Sequence, residues 1–256
     1  MVPREAGRGP LSINVDGATM ERLWPLQPDE RAEVTPGAIL FPGRLELLLN
    51  GAEVYDPSPR FVSPPLPRPA IIHNLEVAKG VTLREGHLEG MGDLISLLDG
   101  KDPFEPNRFT KAALPHVRAL LSSIKTGDLP GVRKASRHMI GLGIGLTPSG
   151  DDLLSGLMVA MVLGSRNGIG QRGAGLIASR MVQGRRGLTT RLSFEYLQEA
   201  SKGRANERVE SLAKGILTQG EREVASATLA ALSIGETSGT DTIVGVCLGV
   251  QAIIAG

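Results

Sequence analysis

The sequence predicts an α+β protein in which a small, β-rich N-terminal region precedes a larger, all-helical region. Proline and residues typical of strands dominate the first third of the chain, whereas from about Gly86 onward apolar residues recur at helical spacing. Glycine, or a loop with proline, separates most of the helical segments. We therefore expect a β-rich region over residues 1–85 and a helical domain over residues 86–256.

The N-terminal region contains a predicted hairpin. Leu45 to Leu49 and Ala52 to Tyr55 flank Asn50-Gly51, a pair that tolerates the positive φ angles of a tight turn. Two further strands are expected at residues 37–41 and 70–77, and prolines indicate an extended loop at residues 57–69.

The second region is predicted to be helical throughout, because its apolar residues follow the period of a helix and its breaks are rich in glycine. The predicted helices are His87–Leu98, Thr110–Thr126, Leu129–Ile140, Asp151–Leu163, Gln171–Gln183, Leu188–Ser201, Glu207–Thr218, Glu221–Leu232 and Thr240–Ala255.

Composition excludes several classes of partner. The net charge is +1, with acidic and basic residues interleaved, which argues against a nucleic-acid partner. The short basic cluster Arg185-Arg186, with Arg191 nearby, is interpreted as solvated surface, and contact with an anionic substrate is the alternative. The single cysteine cannot form an intrachain disulfide, in keeping with a reducing compartment. The longest apolar stretches, Leu153 to Leu163 and Ile243 to Ile254, fall short of the roughly 20 residues that span a bilayer. We therefore expect a cytoplasmic protein with no membrane partner.

An eight-residue pattern occurs twice in the helical region. Residues 149–156 and 238–245 both read S-G-x-D-x-x-x-G, and their first residues, Ser149 and Ser238, are 89 positions apart. Each copy opens an apolar helix with small residues four apart, a spacing that lets two helices approach closely. We infer an internal duplication of a helix–turn–helix–loop–helix unit. The two helices are predicted to cross at their glycines and to bring both S-G-x-D loops to one cleft.

Three alternate glycines, Gly141, Gly143 and Gly145, precede the first copy. Residues 147–152, which overlap its start, read TPSGDD. One hydroxyl suffices to cap a helix, but this segment supplies hydroxyls, bare amides and two carboxylates. Amides and hydroxyls hold anions at helix N-termini. Carboxylates accept N–H bonds from an amide or carbamoyl group, or hold Mg²⁺. The loop therefore indicates a site for a small polar ligand, with capping alone as the alternative for each serine.

The candidate site residues come from three helix starts. Asp152 and Asp241 are the candidate catalytic residues, and with Asp151 they are the candidate ligands of a metal ion. At the third start, Leu188 to Ser193, Thr189 or Thr190 is predicted to cap the helix. In the alternative, Thr190, Arg191 and Ser193 face the same site and Arg191 pairs with a carboxylate or phosphate. The residues predicted to bind substrate are Gly143, Gly145, Thr147, Ser149, Gly150, Asp151, Thr190, Arg191, Ser193, Thr237 and Ser238.

The segment GLGIGLTPSGDDLLSG, Gly141–Gly156, resembles a family of bacterial and archaeal proteins that includes the third, H-type subunit of oxamate carbamoyltransferase. Its G-x-G-x-G-L-T-P-S-G-D-D run is similar to the hallmark of that family. Residues 235–241 resemble the second family motif, G-x-[ST]-S-G-x-D, and residues 189–193 resemble the helix start between the two. The resemblance covers Met139 to Gly249.

The resemblance implies a subunit of a multi-component enzyme of allantoin and oxalurate breakdown. That enzyme moves a carbamoyl group between oxalurate and phosphate, with oxamate and carbamoyl phosphate as products. Other enzyme subunits and a small carbamoyl or phosphate ligand are then the expected partners. The S-x-R-T loop with which well-known carbamoyltransferases bind carbamoyl phosphate does not occur in this sequence. Two alternatives stay open: a non-catalytic scaffold subunit, and a stand-alone hydrolase or transferase of a ureido acid.

Overall fold

The computed structural model describes residues 1–24, 26–27, 30–56, 63–170 and 173–255. The chain divides into two compact units, Met1–Asp56 and Pro57–Gly256. Sheet strands lie in the first unit and the long helices in the second. The α+β class is therefore confirmed.

The N-terminal unit contains two small sheets and one helix. Its elements are β1 (Val2–Pro3), β2 (Asn14–Val15), α1 (Gly17–Leu23), β3 (Glu33–Val34), β4 (Ala38–Phe41) and β5 (Leu45–Leu48). Strands β1 and β2 pair in parallel, and β3, β4 and β5 form an antiparallel sheet in that order. A small core of Val15, Leu23, Ile39, Phe41 and Leu45 holds the unit together.

The predicted hairpin around Asn50-Gly51 is wrong. Strand β5 pairs with the preceding β4 through a turn at residues 42–44, with Phe41 opposite Leu45. A turn does occur at Gly51, where φ is +80°, but residues 52–56 form no strand. Val54 is 87% exposed, so this segment has no apolar face whose burial would hold it on a sheet.

The second unit is built from nine α-helices within the described residues. They are α2 (Arg68–Glu85), α3 (Arg108–Thr126), α4 (Leu129–Met139), α5 (Ser149–Arg166), α6 (Ala174–Val182), α7 (Arg191–Ala200), α8 (Glu207–Thr218), α9 (Glu221–Leu232) and α10 (Ser238–Ile254). Two 3₁₀ segments, Gly92–Asp99 and Arg186–Leu188, lie between them.

The strand predicted at residues 70–77 is also wrong, because this segment lies within α2. The buried residues of α2, among them Ile71, Leu75, Ala78 and Val81, recur at three- and four-residue spacing. The predicted region boundary at residue 85 depended on that strand, whereas the division by contacts falls after Asp56.

Two further predictions concern parts of the chain that the structure covers incompletely. Residues 57–62 of the predicted proline loop, and residues 171–172 at the start of the predicted helix Gln171–Gln183, lie outside the described residues.

Helices α5 and α10 form the centre of the unit and cross at their glycines. A Cβ on Gly156 would collide with the Thr242 carbonyl oxygen and lie 2.9 Å from the Val246 nitrogen. A Cβ on Gly245 would collide with the carbonyl oxygen of residue 153 and lie 2.9 Å from the nitrogen of residue 157. The same 89-residue offset that relates the two sequence motifs exchanges these two sets of contacts. The predicted crossing is confirmed.

Candidate functional site

The crossing of α5 and α10 brings the two S-G-x-D helix starts together. The hydroxyl oxygens of Thr147, in the first loop, and Ser238, in the second, lie 3.2 Å apart. Helix α5 begins at Ser149 and α10 begins at Ser238. The two loops therefore meet, as their sequences predict.

Hydroxyls from both copies of the motif act on the aspartate at each helix start. The hydroxyls of Ser238 and Thr147 face the Asp152 carboxyl and lower its pKa. Ser149 and Thr237 act in the same way toward Asp241. The serine of each copy thus serves the aspartate of the other, while each threonine serves the aspartate of its own copy.

Asp241 is buried and Asp152 is half-buried, and in each the Oδ2 atom is itself buried and has no partner. Among the described residues, Asp152 Oδ2 and Asp241 Oδ2 have no hydrogen-bond donor. An unsatisfied buried polar atom costs about 1–3 kcal/mol, and helix capping alone gives no reason to retain two of them side by side. Unpartnered acceptors of this kind mark a candidate site for a ligand that carries N–H or O–H groups.

Burial sets the protonation of the pair. Burial raises the pKa of Asp152 well above its usual value. The Ser238 hydroxyl lowers this pKa, and the negative charge of Asp241 raises it. Burial also raises the pKa of Asp241 to about 6, although the Met91 N–H and the hydroxyls of Ser149 and Thr237 lower it. Burial therefore favours the protonated form of Asp152, while a pKa of about 6 leaves Asp241 mainly ionised at neutral pH.

The segment before the first 3₁₀ helix closes over Asp241, and sequence reasoning missed it. The Met91 N–H donates to Asp241 Oδ1 at 2.5 Å, and the His87 N–H donates to the Thr240 hydroxyl at 3.0 Å. A Cβ on Gly90 would overlap the Asp241 carboxylate. The Gly90 carbonyl accepts a hydrogen bond from the Asn107 side-chain amide at 2.9 Å.

The helix predicted over residues 87–98 is therefore wrong in its first part, because residues 87–91 form this loop. The glycines at 90 and 92, inside an otherwise helical pattern, are the one sequence signal that favoured a break.

Tyr196 is a second residue that sequence reasoning missed. It lies on α7, is half-buried, and its pKa is raised by burial and by the negative charge of Asp152. Tyr196 thus adds a polar group from α7 close to Asp152. No spacing or motif in the sequence indicated it.

Asp151 tethers the glycine loop to the start of α7. Its Oδ1 accepts from the Gly141 N–H at 2.8 Å, and its Oδ2 accepts from the Ser193 hydroxyl at 2.7 Å and from the Thr189 hydroxyl. Burial raises the pKa of Asp151, and these three donors act against that rise. Both carboxylate oxygens are therefore engaged within the protein.

We expect Ser193→Ala to lower the free energy of unfolding by about 1–2 kcal/mol, because it removes a buried donor to Asp151. The matched control is Ser179→Ala, whose hydroxyl is exposed and bonds only the carbonyl of residue 176 in its own helix. Urea unfolding of both variants measures the difference. Equal losses in the two would contradict the tether.

The other hydroxyl and the arginine at the start of α7 have different surroundings. Thr190 caps α7, since its hydroxyl accepts the Ser193 N–H at 3.1 Å and donates to the Leu146 carbonyl at 2.5 Å. Arg191 is exposed. Its predicted pairing with a ligand stays a prediction.

The glycines of the first loop are required by its conformation. Gly143 has φ +134° and Gly145 has φ +89°, and among the described residues neither N–H has a hydrogen-bond partner. The predicted anion contact of the Gly150 amide is wrong, because this N–H already donates to the Leu142 carbonyl at 2.8 Å. A Cβ on Gly150 would also collide with the Met139 carbonyl, so this glycine serves close packing.

A metal site made of three aspartates is not formed. Within the described ranges, no group of three or more His, Cys, Asp or Glu side chains could hold a metal ion. The engagement of Asp151 with Ser193 and Gly141 explains why it does not join Asp152 and Asp241.

The part of the chain that the structure describes contains no helix of the length and apolarity needed to cross a membrane.

Comparison with protein families gives a match that covers both loops. Residues 139–250 match the family model described as "Oxamate carbamoyltransferase subunit AllH". Over this segment, which is less than half of the chain, the protein is similar to the AllH family. The AllH segment runs from the end of α4 into α10, and so contains Asp152, Asp241 and the start of α7. The loop at residues 87–91 that contacts Asp241 precedes the AllH segment. No solved structure matches the chain.

Proposed function

We propose that this chain is a subunit of an oxamate carbamoyltransferase and that Asp152 and Asp241 bind its carbamoyl-bearing substrate. One observation carries the proposal: two buried carboxylate oxygens without donors lie at paired helix starts. A carbamoyl or ureido group presents several N–H donors to such oxygens. The description of the matching family supports the same class of substrate.

The proposed reaction takes oxalurate and phosphate to oxamate and carbamoyl phosphate. An oxygen of hydrogenphosphate bonds to the carbamoyl carbon, the bond from that carbon to the oxamate nitrogen breaks, and the nitrogen takes up a proton. Asp152 is the assigned donor of this proton, because its raised pKa favours the protonated carboxyl. The proton that hydrogenphosphate loses restores it. Asp241, mainly ionised, accepts an N–H of the carbamoyl group.

The glycine loop provides the anion-binding part of this site in the proposal. The N–H groups of Gly143 and Gly145 have no partner among the described residues, and they precede the N-terminus of α5. Helix N-termini and bare amides bind phosphate and developing oxyanions. Thr147 and Ser149 add hydroxyls at the same helix start.

Partner subunits are proposed to cover the mouth of the cleft. Ile144 is 72% exposed and Leu146 is 70% exposed, although both flank the glycines of the proposed anion site. Apolar side chains beside a polar cleft are typical of a surface that another subunit covers. The same observation favours the alternative, a scaffold subunit whose loops bind a catalytic partner. Cytoplasmic location and a role in allantoin breakdown stay predictions.

Asp152→Asn tests the catalytic proposal. In the chain purified together with the subunits it assembles with, we expect oxalurate phosphorolysis to fall by about 10²–10⁴-fold, because the proton donor is lost. The complex should keep its elution volume. Asp102→Asn, at an exposed ion pair with Arg118, is the matched control and should keep full turnover.

Two outcomes would contradict the proposal. Full turnover of the Asp152→Asn complex would show that Asp152 is not the proton donor of the reaction. Loss of assembly, with the melting temperature of the free chain unchanged, would favour the scaffold function.

A further inference from the structure

A second concave surface lies on α4, on α6 and in the segment that follows α6. It is a cleft of about 830 Å³. Every charged side chain that lines it is basic. The lining residues are Leu129, Pro130, Arg133, Lys134, Arg137, His138, Arg180 and Arg185. None of them belongs to the S-G-x-D loops.

The positive charges of this basic cleft are not neutralised by the protein. Within the described residues, none of its arginines, nor Lys134, forms an ion pair with an aspartate or glutamate. Arg180 donates to the amide oxygen of Gln183 at 3.0 Å. Surface arginines are commonly paired or dispersed, so five cations around one concavity indicate that something negative binds there.

Arg185 is the buried member of the set. The sequence interpretation of Arg185-Arg186 as solvated surface is wrong for this residue, which is only 6% exposed. One of its terminal nitrogens donates to the Arg133 carbonyl at 2.6 Å, but its Nε has no partner among the described residues. Burial, followed by the charges of Arg133 and Arg137, lowers its pKa. A guanidinium buried next to like charges is costly unless an anion completes the site.

We propose that the basic cleft binds a small molecule that carries two or more phosphoryl groups. Arginine forks bind phosphate oxygens in pairs, and four arginines with one lysine match a polyphosphate better than a single anion. The volume is within the range of small-molecule sites and fits a ligand up to the size of a nucleotide. This site is separate from the acid pair and does not depend on the proposed carbamoyl transfer.

A structural role for Arg185 is the competing explanation, because its bond to the Arg133 carbonyl would persist without a ligand. The test therefore leaves Arg185 unchanged. Lys134→Gln with Arg137→Gln removes two charges of the cleft at exposed positions. Arg84→Gln with Arg222→Gln removes the same charge from exposed positions outside the cleft.

Pyrophosphate and ADP are titrated by calorimetry into the full chain and into both double variants. We expect saturable binding of pyrophosphate at physiological salt, weakened about tenfold or more by the cleft substitutions and less than about twofold by the control pair. Tighter binding of ADP than of pyrophosphate would support a nucleotide as the ligand, and the reverse would support an inorganic or simple polyphosphate.

Three outcomes would overturn the proposal. One is no binding of either probe at millimolar concentration. Another is equal weakening in the cleft and control variants, which would indicate screening of net charge alone. The third is binding of tricarballylate, a tricarboxylate of similar charge, as tight as that of pyrophosphate, since the cleft would then not select phosphoryl groups.

Discussion

Replacing Gly156 with alanine is expected to lower the free energy of unfolding by about 3 kcal/mol or more. The added methyl group would occupy the position of the Thr242 carbonyl oxygen, and backbone atoms of α10 cannot move as a side-chain tip can. The two helices must then separate along a stretch that is buried almost throughout. Urea unfolding of the purified chain measures the loss.

Gly175→Ala is the matched control for this substitution. Gly175 also lies inside a helix, but a Cβ there meets nothing within 4 Å. The control variant should gain up to about 1 kcal/mol, because alanine has the higher helix propensity. Similar behaviour of the two variants would mean that the crossing is not as close as described.

Asp241→Asn is expected to make the protein more stable at high pH. The pKa of Asp241 is about 6 in the folded chain against an ordinary value of 3.8. The unfolded chain therefore releases this proton at lower pH than the folded chain does. The contribution of Asp241 to the free energy of unfolding is complete below about pH 4. It is lost as the pH rises through about 6, and the total loss is about 3 kcal/mol. Asparagine does not titrate, and its amide oxygen can still accept the Met91 N–H.

Unfolding free energies at pH 4 and pH 8 test this expectation. The difference between the two pH values should be smaller in Asp241→Asn than in the unchanged chain. Asp99→Asn serves as a control of opposite sign, because the Lys79 ammonium lowers the pKa of Asp99 and the stability it provides is lost as pH falls. An unchanged pH dependence in Asp241→Asn would show that burial does not raise the pKa of this carboxyl.

The crossing of α5 and α10 could be predicted because the sequence carries two independent signals for it. The repeated octapeptide placed Asp152 and Asp241 at equivalent helix starts, and small residues at four-residue spacing indicated that the helices approach closely. A cap at Thr189 or Thr190 was predicted because hydroxyls before an apolar run are a local signal, and Thr190 is the residue that caps α7.

The remaining parts of the site depend on contacts that have no local signal. Met91 reaches Asp241 across 150 positions of sequence, and Tyr196 approaches Asp152 only because α7 packs on α5. The burial of Arg185 was missed because a basic pair in a sequence resembles solvated surface. The segment at residues 70–77 was misassigned because short runs of branched residues satisfy both the strand and the helix period.

The exchange of serines between the two copies has a consequence for ancestry. A polypeptide with one copy would hold an aspartate without the serine that serves it, so two such molecules would have to associate to make one cleft. Joining both halves in a single chain removes the need for that encounter and frees each half to specialise. Position 151 now anchors α7 through a carboxylate, while its counterpart, Thr240, instead receives the His87 amide. The two halves therefore differ at positions 151 and 240, whereas both have an aspartate at the next position, Asp152 and Asp241.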